Sequence, residues 1–143
     1  MPSDPADRLR NAYAAFSSGA GLDWSLIDPS IEHDQTKGLF LDGVFYGPEG
    51  VRAALEEVES DWEGLSYELV EVVQLGDRVL VLLRMRARVR DSEAELDAQV
   101  AHVWEFRDGR AVRWDVYGDH ASARQAFKGT RSAQAQHSPQ PLL

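Results

Sequence analysis

Residues 96–117 read LDAQVAHVWEFRDGRAVRWDVY, and this stretch decides the fold class. Side chains alternate faces along a strand, so Val100, His102, Trp104 and Phe106 share one face of a segment running from Leu96 to Phe106. Three of these four are large and apolar, which turns that face inward. Arg107-Asp108-Gly109 then breaks the pattern, Asp-Gly being among the strongest short hairpin signals. Ala111 to Tyr117 resumes it, with Trp114 and Val116 alternating with Asp115 and Tyr117. Two alternating segments joined by a tight turn predict an antiparallel pair.

Working upstream, Arg78–Arg90 is a long, strongly β-patterned segment, joined through Gly76-Asp77 to a further strand over 66–75. The loop between residues 90 and 96 centres on Asp91–Glu93. Before these strands lie helices. Pro48 and Glu49 suit the first turn of a helix over 48–61, whose apolar face is Val51, Ala54, Leu55, Val58 and Trp62. Asp4 can cap a first helix over 4–18, with Pro5 at its first position and Leu9, Ala12, Tyr13 and Phe16 at i, i+3, i+4 and i+7. Asp23–Asp28 reads as a short second helix ended by Pro29, and Ser30–Gln35 as a short strand. Downstream, Asp119-His120 reads as the cap of a short last helix over 120–127. The tail TRSAQAQHSPQPLL is polar and is expected to be without structure. Helices followed by a meander of long strands predict one α+β domain over 1–128, with a tail over 129–143.

Composition narrows the function. The chain has 143 residues, 43% hydrophobic and 27% charged, which is ordinary for a globular domain with a sizeable core. Its formal net charge of −9 argues against nucleic acid as the main partner, since phosphate backbones are bound by clustered Lys and Arg. It has no cysteine, which excludes disulfides and thiol chemistry and fits a cytoplasmic setting. No apolar run approaches the length of about 18 residues that a membrane span needs. MPSDPADRLR lacks the basic-then-apolar order of a signal peptide. There is no HExxH, Walker loop, GxGxxG or paired His–carboxylate spacing, so neither a metal nor a nucleotide cofactor is expected.

Three segments in this order carry a family resemblance: NAYAAFSSGAGLDW (11–24), VFYGPEGVRAAL (44–55) and AHVWEFRDGRAVRWDVYGD (101–119). Over about residues 5–128 the chain resembles the nuclear transport factor 2-like superfamily, in its SnoaL-like, ketosteroid-isomerase-like branch. The resemblance implies a cystatin-like cone: a curved antiparallel sheet with helices on its concave face, enclosing a pocket. It implies no single activity, because that fold hosts isomerases, cyclases, hydrolases, dehydratases and binding proteins.

The resemblance also suggests site residues. Asp34, in IEHDQ, matches the segment that carries the proton-shuttling aspartate of ketosteroid isomerase; read by itself it is equally a solvated turn carboxylate. His102 falls where that enzyme has its hydrogen-bond-donating aspartate. It is a candidate donor or base, and with Asp34 a candidate dyad; otherwise it is a core histidine with one backbone partner. Tyr13 stands one position from the family's oxyanion tyrosine, a rotation of about 100° on a helix, so packing competes with a hydroxyl role there. Tyr13, Trp24, Trp62, Trp104, Trp114 and Val116 are the candidate pocket lining. Asp115 is a weaker candidate on the last strand, and His33 should point away from Asp34. Arg84, Arg86, Arg88 and Arg90 share one strand face opposite Glu68, Glu71, Glu95 and Asp97. They read as a salt-bridged surface or dimer face, or else one of them enters the pocket to bind an anion.

Three functions stay open. The first is a cofactor-independent acid–base enzyme acting on a small hydrophobic molecule: an isomerase, cyclase, dehydratase or hydrolase. The second is a non-catalytic binding module. The third is a dimeric scaffold. A homodimer through the outer sheet face is expected in any of them.

Overall fold

A computed structural model describes residues 4–137. Ten elements follow in order: α1 (Pro5–Ser17), a one-turn 3₁₀ helix (Trp24–Leu26), β1 (Ile27–Lys37), β2 (Val44–Tyr46), α2 (Gly47–Asp61), β3 (Trp62–Leu75), β4 (Arg78–Val89), β5 (Glu95–Arg107), β6 (Arg110–Tyr117) and α3 (His120–His137). The strands form one sheet in the order β2-β1-β6-β5-β4-β3.

The hairpin expected over residues 96–117 is present. Asp108 and Gly109 both have positive φ, at 52° and 82°, the backbone that a two-residue hairpin turn requires. Trp104 pairs with Trp114 across it. The α1 cap also forms as expected, with Asp4 accepting from the Asp7 N–H at 2.9 Å.

The expected all-antiparallel sheet needs one correction: β1 runs parallel to β6. The whole α2–β3–β4–β5 segment lies between these strands, and a parallel pair needs such a long crossover. A second correction concerns 23–28. Only one 3₁₀ turn forms there, and β1 already begins at Ile27. Pro29 does not stop the strand because it sits where the β1–β6 register shifts, between Ile27 and Glu32, a place where a missing N–H costs no ladder bond.

Two apolar clusters flank the sheet. On the concave face Leu9 and Tyr13 of α1 and Val51 of α2 pack against Val81, Leu83, Trp104 and Trp114. On the other face α3 lays Ala123 and Phe127 over Leu80, Leu82, Ala101 and Val103. Helices 4–18 and 48–61 thus lie on the concave side as expected, whereas α3 covers the outer side. It runs on past Gly129 to His137, into the tail expected to be unstructured; residues 138–143 of that tail lie outside the described residues. No described helix is long and apolar enough to cross a membrane.

Candidate functional site

Sheet register decides which polar residues meet the concave interior. Trp114 is buried and faces inward, and its partner across the β1–β6 ladder is His33. Ile31, His33 and Gln35 of β1 are therefore buried on the concave side, while Glu32 and Asp34 turn outward. On β5 the same alternation brings His102, at 2% exposure, inward with Trp104.

His102 meets Tyr13 from α1. The Tyr13 hydroxyl and His102 Nδ1 share a hydrogen bond at 2.5 Å, and the hydroxyl accepts from Trp104 Nε1 at 2.9 Å. Burial, with His33 nearby, pushes the His102 imidazole down to about 3 from 6.5, and burial raises the Tyr13 hydroxyl well above its ordinary range. Both groups are neutral near pH 7. Beside them His33 Nδ1 donates to the Trp114 carbonyl at 3.0 Å, and Gln35 Nε2 donates to His33 Nε2 at 3.1 Å. Burial pushes His33 down to about 4.

Two cavities of about 40 Å³ each lie against this group. Phe16, Leu55, Tyr67, His102 and Trp114 border both. Tyr13 and Trp104 border the first, and Gln35, Glu59 and Val116 the second. The Tyr67 hydroxyl, pushed up to about 12 by burial, has no hydrogen-bond partner among the described residues. Trp114 Nε1 is likewise enclosed without a partner. The cavities are mostly apolar, with a few polar groups set in their walls.

Asp34 is not part of it. The expected Asp34–His102 dyad does not form, because the two side chains point to opposite faces of the sheet. Asp34 accepts from the Thr36 N–H at 2.8 Å and the Thr36 hydroxyl at 2.6 Å. Burial favours its neutral form, but these bonds, with Lys37 and Arg113, outweigh it and hold the carboxyl below its ordinary range. It borders an outer depression of about 310 Å³ with Lys37, Arg78, Arg113 and Asp115. Burial raises the Asp115 carboxyl there, against the Arg113 guanidinium at 3.1 Å.

Of the proposed lining, Tyr13, Trp104, Trp114 and Val116 border the cavities. Trp24 and Trp62 do not. Trp24 packs at the core's edge under the Arg52 guanidinium, 4.5 Å from its ring centre. Trp62 starts β3 and packs at a tilt against Phe40, ring centres 5.0 Å apart, bordering a separate open groove instead. None of the four arginines of β4 and its end enters the cavities. Arg84 makes two 2.7 Å bonds to Asp97, Arg88 binds Glu63, and Arg90 holds the carbonyls of Glu59 and Trp62 at the end of α2. The salt-bridged surface is the arrangement present. Gln35 and Tyr67 are site residues that the sequence did not single out; His33 points away from Asp34, as expected, and so into the interior. The signal was there: Ile31-His33-Gln35 and Leu65-Tyr67-Leu69 each alternate in phase with an apolar residue.

Among the described residues no group of three or more His, Cys, Asp or Glu could hold a metal ion.

No curated protein matches the chain in sequence. Solved structures do match it in fold. An NTF2-like protein from Burkholderia thailandensis is 25% identical, with a TM-score of 0.70 over 87% of this chain and 98% of that one. A protein of ketosteroid isomerase-like fold from Catenulispora acidiphila, in complex with trimethylamine, is 14% identical, with a TM-score of 0.67 over 85% and 91%. A protein of cystatin-like fold from Xanthomonas campestris is 16% identical, with a TM-score of 0.70 over 87% and 98%. The model of the SnoaL-like domain matches residues 9–114, most of the chain, and the protein therefore belongs to the SnoaL-like domain family.

Proposed function

We propose that this protein binds a small, mostly apolar molecule in the concave hollow, with Tyr13–His102 as its polar anchor, and acts as a binding module. The observation that carries this is the Tyr13–His102–Trp104 chain, set neutral into an otherwise apolar wall. Acid–base catalysis needs a group that takes up a proton near operating pH. His102 and His33 are held neutral by burial, His33 with one ring nitrogen already accepting a hydrogen bond, and Asp34 is on the other face. The complex of the Catenulispora protein with trimethylamine is in keeping with a fold that hosts small ligands.

One observation favours a second reading, an enzyme acting on an acidic C–H: Glu59, an exposed residue of α2, borders the second cavity, and its carboxylate would be the base. The acid–base isomerase, cyclase, dehydratase and hydrolase activities rest on that carboxylate alone. A homodimer through the outer face and a cytoplasmic setting belong to the same proposal. On the outer face α3 leaves Val70 at 57% exposure beside Arg84 and Asp97, a mixed apolar and charged patch suited to a second copy.

Native mass spectrometry of the purified chain tests the binding reading. A retained small molecule is expected, released on unfolding and absent from Ala12→Trp, which fills the first cavity. If wild type and the filled variant carry the same molecule, or wild type takes up no apolar fragment offered to it, the reading is wrong.

A further inference from the structure

We propose that the hollow takes only the apolar end of its ligand, and that the other end, a positively charged amine, lies in the groove beside Trp62 against the Glu59 carboxylate. The ligand class is an amine with an apolar tail. This deepens the binding reading above and rests on it.

Size is the first reason. Each cavity against His102 measures about 40 Å³, room for a few atoms, whereas small-molecule sites run to roughly 300–1,000 Å³. A molecule seated there has to extend outward. The open groove that Trp62 borders adds about 310 Å³, and it adjoins the second cavity, since Phe16, Glu59 and Leu65 line both. Phe16 comes from the end of α1, Glu59 from the last turn of α2 and Leu65 from the start of β3. Gly19, Gly21 and Gly64 line the groove as well, and the space where a side chain of each would stand is open.

Charge is the second reason. Burial holds His102 and His33 neutral, so the interior is hostile to a cation. A charged group on the ligand therefore stays at the mouth. Three ionisable side chains border the groove: Glu59, Glu63 and Arg90. Arg90 is tied to the Glu59 and Trp62 carbonyls and to the Glu63 carboxylate. Glu63 also binds Arg88 at 2.6 Å. The charges of these two are thus already paired. The Glu59 carboxylate has no hydrogen-bond or ion-pair partner among the described residues, and of the three it alone also borders the second cavity. It is the charge left for a ligand to meet, and it is negative.

Three ligands with one tail test it: hexylamine, hexan-1-ol and hexanoate, which at pH 7 are a cation, a neutral molecule and an anion. Their tails bury alike, so differences report the head group. Wild type is expected to bind hexylamine about two- to fivefold tighter than hexan-1-ol, the value of one exposed ion pair, and hexanoate most weakly. The margin should shrink as salt is added. Glu59→Gln should bring hexylamine level with hexan-1-ol and leave hexan-1-ol itself unchanged. Glu56→Gln removes the same charge from an exposed position of α2 that borders neither the cavities nor the groove, and should keep the preference. In ¹H–¹⁵N spectra hexylamine should move the indole signals of both Trp114 and Trp62. Equal binding of amine and alcohol in wild type would overturn the amine class and leave the hollow as a binding site. Saturable binding by none of the three would overturn both. A preference kept in Glu59→Gln, or lost equally in Glu56→Gln, would overturn the role of Glu59. A Trp62 signal that stays fixed while Trp114 moves would overturn the placement of the amine in the groove.

Discussion

His102 shows how one buried side chain links fold, stability and chemistry. In the unfolded chain its imidazole protonates near 6.5; in the fold, burial holds it neutral down to about 3. His33 behaves alike, down to about 4. Between these values and 6.5 the unfolded chain binds more protons than the folded one, so stability must fall as pH drops through that window. The urea midpoint should therefore decline from pH 7 to pH 4, and more steeply in wild type than in His102→Phe. An equal decline in both would mean that His102 titrates normally in the fold. Asp34 makes the opposite case. It bonds Thr36 on the outer face, so Asp34→Asn, which keeps an oxygen for those bonds, should leave cavity binding unchanged and cost under about 1 kcal/mol. A lost binding signal, read by titration with cyclopentanone, would restore Asp34 to the site. Both were candidates by chemistry and by resemblance. Alternation along β5 already turned His102 inward, whereas only the pairing of β1 with β6 assigns the face of Asp34.

At the scale of elements, local chemistry was the legible part. The Asp-Gly turn, the Asp4 cap and the alternation along β4, β5 and β6 are short-range properties, and each appears where the residues predict it. What was hidden is long-range. The parallel β1–β6 pair joins residues some 80 positions apart, and no local pattern announces it. The tryptophans illustrate the same limit: a helix or strand pattern says that Trp24 and Trp62 are apolar and semi-buried, not which cavity they border. β3 offers a test of element geometry. Gly64 has φ +67° where the β3–β4 register shifts between Glu63 and Ser66. A side chain there is strained although space is open around it. Gly64→Ala should cost about 1–2 kcal/mol by chemical denaturation; a neutral result would mean that this bulge relaxes.

For the molecule as a whole, the sheet is a partition with work on both sides. Its concave face carries the hollow, and its outer face carries α3. β4 is buried on both faces, Val79, Val81 and Leu83 toward one and Leu80 and Leu82 toward the other. Phe127→Ala should thus open the outer cluster and cost about 3–5 kcal/mol, while leaving the affinity of the hollow for cyclopentanone unaltered. Loss of that affinity would mean that the two faces are coupled. Light scattering should give twice the chain mass at micromolar concentration, and the mass of one chain would rule out the outer-face dimer. Where the ligand sits decides between the readings, and the four tryptophans report on its location. In ¹H–¹⁵N spectra their indole N–H signals can be followed through a titration with cyclopentanone. A saturable shift of the Trp114 signal is expected, with a smaller one at Trp104 and none at Trp24 or Trp62. Shifts at Trp24 or Trp62 with Trp114 unmoved, or no saturable shift at all, would contradict binding in the hollow.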